Sequence, residues 1–218
     1  SFGAAVETDG YRRLALIVGV GQYKNDAVPD LDGPPNDAQR FYNLLTEKNG
    51  YGFPAENVCL LLDEQATTAN FKQAFDKALV ERARENDVAV VFYAGHGSQA
   101  PDKNGDEADN FDETLMFHDA RTSGIRDMAD DELNQMLARL NKKTRRVTVI
   151  LDSCNSGTAT RGSDASTVKA RFFTPLTDES GAGAAGEGTG EGAEGMTAQA
   201  LPGLAMIDNV RTLVVAQT

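Results

Sequence analysis

Three almost unbroken apolar runs constrain this chain most: residues 14–20 (LALIVGV), 88–93 (VAVVFY) and 147–151 (VTVIL), each ending in a turn of glycine or small polar residues. A half-exposed strand would alternate apolar with polar side chains. Runs without that alternation suit strands covered on both faces, as in a parallel sheet. Between them lie segments with apolar residues at helical spacing: Phe41, Leu44 and Leu45; Phe71, Ala74, Phe75, Ala78 and Leu79; Leu133, Met136, Leu137 and Leu140. Asn36 and Asp37 are expected to cap the first helix and Asn49-Gly50 to close it. Thr68 starts the second, and residues 130–140 form the third. Further strands are expected at 58–62, 114–117 and 209–216. Repeated strand–helix–strand units predict an α/β fold with a mostly parallel sheet and helices on both faces.

Reactive groups in such sheets gather at the carboxyl ends of the strands. Residues 147–151 end in Asp152-Ser153-Cys154-Asn155-Ser156-Gly157, and residues 88–93 end in Ala94-Gly95-His96-Gly97-Ser98-Gln99. A lone cysteine reads most simply as structural. Here the chain also sets one of its two histidines between glycines at the end of a second buried strand, so imidazole and thiol meet at one edge as a Cys/His dyad. Neither residue is expected to carry much of the core. The turn after Cys154 leaves backbone N–H groups to face an oxyanion, with Gly97 and Cys154 as donors. No side chain offers itself as a third member to orient His96.

The motifs YAGHGSQ and DSCNSG, whose Cys154 lies 58 residues after His96, resemble the metacaspase and orthocaspase branch of the caspase-like cysteine peptidases (clan CD, family C14). The likeness includes Asn104-Gly105-Asp106-Glu107, Asp112-Glu113-Thr114-Leu115 and residues 33–37, and so covers most of 14–151. It departs from the caspase signature, which has Gln-Ala before the cysteine. The resemblance implies a caspase-like three-layer α/β/α sandwich and cleavage after Arg or Lys. At the matching positions Asp37 and Asp152 would hold the basic side chain. Asp37 also reads as an acid at a helix terminus, whereas Asp152, ending a buried strand, needs a partner or solvent. Chemistry by the dyad needs no cofactor, but many members bind calcium, which points to Asp112, Asp130 and Asp131. The family's fourth acid falls at Arg161, and a solvated acidic surface with Asp130 as a helix cap is the other reading. Asp102, Asn104, Asp106, Asn110 and Glu113 fall at EF-hand offsets. That motif is rejected because Glu107 replaces its glycine and the flanks read as strand.

Residues 1–171 read as the large-subunit (p20-like) region and 172–204 as a Gly/Glu-rich linker. Residues 205–218 read as the start of a small-subunit (p10-like) region, which in the family continues into a further strand and helices. Self-processing, if it occurs, is expected after Arg161, Lys169 or Arg171. Two other readings stay open: a legumain-like or caspase-like peptidase with Asn or Asp preference, which also uses Gly-His-Gly and a strand-end cysteine, and a non-catalytic scaffold.

A formal net charge of −12 over 218 residues argues against nucleic acid or an anionic membrane as the partner and favours basic peptide substrates. Cys59 and Cys154 make no disulfide framework, and no stretch reads as a signal peptide or membrane span. The expectation is a cytoplasmic monomer acting on protein substrates.

Overall fold

The structure, a computed structural model, describes residues 3–101 and 111–153 and, as backbone, 210–214. Its strands are β1 (Arg13–Gly19), β2 (Val58–Leu62), β3 (Val88–Ala94), β4 (Gly97–Pro101), β5 (Phe111–Leu115), β6 (Met128–Ala129), β7 (Arg146–Asp152) and β8 (Val210–Val214); its helices are α1 (Pro34–Thr46), α2 (Thr68–Ala74) and α3 (Asp130–Asn141). Five strands form a sheet in the order β2-β1-β3-β7-β8, with every pairing parallel.

The unalternating apolar runs are explained by two cores, one on each face of this sheet. Leu14, Leu16 and Val18 of β1 point to the face covered by α2 and α3, where they meet Phe71, Phe75, Leu133, Leu137 and Leu140. Ala15 and Ile17 point the other way and pack with Ala38 and Leu45 of α1, and Phe41 stacks on Phe92 of β3 with ring centroids 4.5 Å apart. Each Leu buried this way contributes roughly 1.5–3 kcal/mol. The sandwich is therefore the three-layer α/β/α arrangement. The second helix continues past Ala74 as a π-helical segment, Phe75–Val80, that keeps Phe75, Ala78 and Leu79 buried.

Several local expectations are corrected. Asn36 and Asp37 do not cap α1. The helix opens at Gly33 with Pro34 and Pro35 in its first positions, where proline's preset φ and missing N–H are harmless, so Asp37 lies within the first turn. Asn49-Gly50 does not close it either: the helix ends at Thr46, and Gly50 follows in a separate turn. Asp130 is not the cap of α3. Ala129 holds that place and Asp130 is the first helical residue, its Oδ1 accepting from the Asp131 N–H at 3.0 Å. The strand expected at 114–117 is Phe111–Leu115, and it belongs to a second, antiparallel sheet in the order β4-β5-β6. That hairpin supports rejection of an EF-hand, since strands flank the acidic stretch. Residues 102–110 themselves lie outside the described residues.

Candidate active site

The register of the large sheet defines one edge. Gly19 pairs with Ala94 across β1 and β3, and Ala94 pairs with Asp152 across β3 and β7. His96 lies two residues beyond Ala94, and Cys154 two residues beyond Asp152; the Gly95 N–H donates to the Asp152 carbonyl at 3.3 Å. Cys154, its backbone N–H, Arg161, Lys169 and Arg171 lie outside the described residues. Gly97 opens β4 opposite Leu115.

His96 is fully buried, which corrects the expectation that it takes little part in the core. The reason is a loop sequence reasoning passed over. Residues 20–31 fold back over the strand ends and bring the Pro29 carbonyl to 2.8 Å from His96 Nε2. A carbonyl only accepts, so Nε2 carries the proton and Nδ1 is the basic nitrogen of the ring. The group that orients the ring is thus a backbone oxygen, and no side-chain pattern could have announced it. The same loop places Tyr23, whose hydroxyl accepts from the His96 N–H at 2.8 Å. On the other side Tyr93 Oη lies 2.9 Å from the His96 carbonyl and 2.7 Å from that of Met116, sharing its proton between them. Burial raises the Tyr93 pKa well above 10, so it remains a donor. A side chain at Gly95 would come within 2.7 Å of Tyr93 Oη, which is why glycine precedes the histidine.

The two acids expected to select a basic side chain share this edge. Asp152, only 6% exposed, ends β7. Asp37 is half-buried in the first turn of α1, which docks on β1 at Gly19; a Cβ there would sit 2.6 Å from the Pro34 carbonyl oxygen. Gly19 and Asp152 are two strands apart, about 10 Å at ~4.8 Å per strand. The three acids expected to bind calcium gather elsewhere, at β5 and the start of α3. Asp112 and Asp130 are buried. Burial, followed by the charges of Glu113, Asp112 and Asp131, raises Asp130 from 3.8 to about 7. These carboxylates repel one another. Among the described residues, however, no three His, Cys, Asp or Glu side chains are arranged to hold a metal ion.

The model of the metacaspase, peptidase C14 domain matches residues 13–161, which takes in both strand ends, His96 and Cys154. The chain belongs to the metacaspase family. It is 37% identical over 155 residues to Metacaspase-1 of Saccharomyces cerevisiae, a match covering 67% of this chain and 34% of that protein. It is 36% identical over 153 residues to Metacaspase-1A of Aspergillus oryzae, covering 67% and 35%. The chain therefore spans about a third of the length of the curated metacaspases it matches. A solved crystal structure of a Geobacter sulfurreducens protein is similar in fold, with a TM-score of 0.54 and 29% identity over 67% of this chain and 52% of that one. Among the described residues no helix of this metacaspase is long and apolar enough to cross a membrane.

Proposed function

We propose that this metacaspase chain carries the catalytic centre of a cysteine endopeptidase that cleaves after Arg or Lys. The observation supporting this most directly is the Pro29–His96 hydrogen bond, which makes Nδ1 the basic nitrogen at a strand end register-matched to the one that leads into Cys154. Nδ1 takes the thiol proton, and the resulting thiolate attacks the peptide carbonyl carbon, with backbone N–H groups of Gly97 and Cys154 facing the oxyanion. The tetrahedral adduct collapses as the imidazolium gives its proton to the leaving amine. Water, deprotonated by Nδ1, then hydrolyses the thioester and restores the thiol. Asp37 and Asp152 supply charge for a guanidinium or ammonium group. The test is a panel of fluorogenic peptides with Arg, Lys, Asn or Asp before the scissile bond. Turnover confined to Arg and Lys is expected. Turnover after Asn or Asp would favour the legumain-like or caspase-like reading, and none at all the scaffold.

Asp112, Asp130 and Asp131 are not arranged to hold a metal ion as they stand, so calcium would have to draw them together, as hard oxygen donors whose mutual repulsion a divalent cation relieves. The linkage has a definite sign. Asp130 holds its proton more tightly folded than unfolded, so the calcium-free protein loses stability as pH rises from about 4 to about 7. Calcium should offset that loss, raising both the melting temperature and activity at pH 8. Its effect should fade as pH drops below about 7. A melting temperature and activity indifferent to calcium and chelator at pH 8 would leave the solvated acidic surface as the reading.

Self-processing should follow the same specificity. Between residues 172 and 210 the chain has no Lys or Arg, so an enzyme restricted to basic residues cannot cut the Gly/Glu-rich stretch. Cuts are expected after Arg161, Lys169 or Arg171, and Cys154→Ala should stay whole. Intact-mass measurement checks this; a Cys154-dependent cut within residues 181–195 would refute both the sites and the basic preference.

A further inference from the structure

We infer that Tyr23 is a positioning residue for His96, its phenol oxygen fixing the histidine backbone and its ring flanking the imidazole. The inference rests on the reading of His96 as the proton shuttle. His96 lies between the end of β3 and the start of β4, and its N–H finds its acceptor in the Tyr23 hydroxyl at 2.8 Å. That hydroxyl donates onward to the Val20 carbonyl at 3.3 Å, so it both accepts and donates. The two rings lie 5.0 Å apart at 39°.

Tyr23 is itself held from two sides. Its N–H donates to Asp30 Oδ1 at 3.0 Å. The preceding Gly21 and Gln22 N–H groups both donate to Asp63 Oδ1, at 2.8 and 3.0 Å. Asp63 adopts a φ of +45°, in the left-handed region that few non-glycine residues occupy. A second bond from Leu31 N–H to the Gly21 carbonyl, 2.7 Å, closes the loop on itself. The loop that fixes the ring through Pro29 therefore also fixes the backbone through Tyr23. With both in place the imidazole has neither its torsion nor its anchor point free, which is the precision that proton transfer to and from a thiol requires.

Tyr23→Phe removes one oxygen and keeps the ring contact. Its expected signature is a fall of about tenfold in kcat with KM unchanged. The second readout needs no substrate: iodoacetamide alkylation of Cys154 against pH, followed on the Cys154 peptide by mass spectrometry. In the wild type the imidazolium keeps the thiolate present at low pH. In Tyr23→Phe the alkylation midpoint should move up towards an ordinary thiol near 8.5. Cys59 does not interfere between pH 5 and 8, because burial pushes its thiol up to about 11. Tyr51→Phe, at an exposed site, should match the wild type in both readouts. Wild-type kcat and an unmoved midpoint in Tyr23→Phe overturn the inference while leaving the dyad standing. So does a variant that loses melting temperature alone with its midpoint unmoved. A wild-type midpoint already near 8.5 and insensitive to His96→Gln overturns the dyad reading, and this inference with it.

Discussion

Cys154→Ala should abolish peptide cleavage, lowering kcat by at least about 10³-fold and towards the roughly 10⁶-fold seen when a covalent nucleophile is removed. The chain's other thiol cannot replace it, because Cys59 is on β2 with its pKa raised by burial to about 11. The histidine half of the test needs more care. His96 is fully buried, so His96→Ala would open a cavity and cost about 2–5 kcal/mol of stability, mixing a folding effect with a catalytic one. His96→Gln keeps most of the volume and an amide donor for the Pro29 carbonyl but has no titratable nitrogen. It should fold, bind peptide and lose about 10²–10⁴-fold in kcat, the usual contribution of a positioned acid–base group. Steady-state kinetics beside thermal melting separates the two effects. Retained turnover in either folded variant would remove that residue from the dyad.

Asp152→Asn should lose Arg and Lys substrates by about 2–5 kcal/mol in kcat/KM, roughly 30-fold to several thousand-fold. The size follows from burial. At 6% exposure the carboxylate is shielded from water, so a guanidinium brought against it would be worth more than a surface ion pair. With asparagine in its place the incoming charge is desolvated without compensation. The change is isosteric, so kinetics with a neutral residue before the scissile bond should move little, and the ratio of basic to neutral substrates is the quantity to measure. An unchanged ratio would take Asp152 out of the specificity pocket. Asp37→Asn should have a smaller effect in the same direction, since Asp37 is only half-buried and Arg40 lies 3.9 Å away.

The sequence by itself determined the layers and the edge on which the chemistry is proposed. Residues 14–20, 88–93 and 147–151 declare strands buried on both faces because every second position would otherwise show a polar side chain, and Leu133, Met136, Leu137 and Leu140 declare one buried helix face. These signals are local and carried by side chains, so a single sequence displays them. Glycine on both sides of His96 was legible for a related reason: a missing side chain is itself a statement about space, and at Gly95 Tyr93 occupies it.

Only the tertiary structure decided how the histidine is held. The Pro29 carbonyl is 67 residues from His96, and the Tyr23 hydroxyl 73, so neither partnership leaves a periodicity or a short motif. A carbonyl has no residue type to recognise, and Tyr23 sits in a loop of Gly, Asn, Asp and Pro that reads as a connector. The helix starts, by contrast, were mostly local: Thr68 opens α2 as expected, and Pro34-Pro35 mark the first positions of α1 ahead of Asn36 and Asp37, whose capping propensity was given too much weight, as was that of Asp130 beside Ala129. Of the separate β4-β5-β6 sheet only one strand was expected, near 114–117, because its strands are short, 5, 5 and 2 residues. Local side-chain chemistry chose the elements; their long-range backbone hydrogen bonds chose what His96 faces.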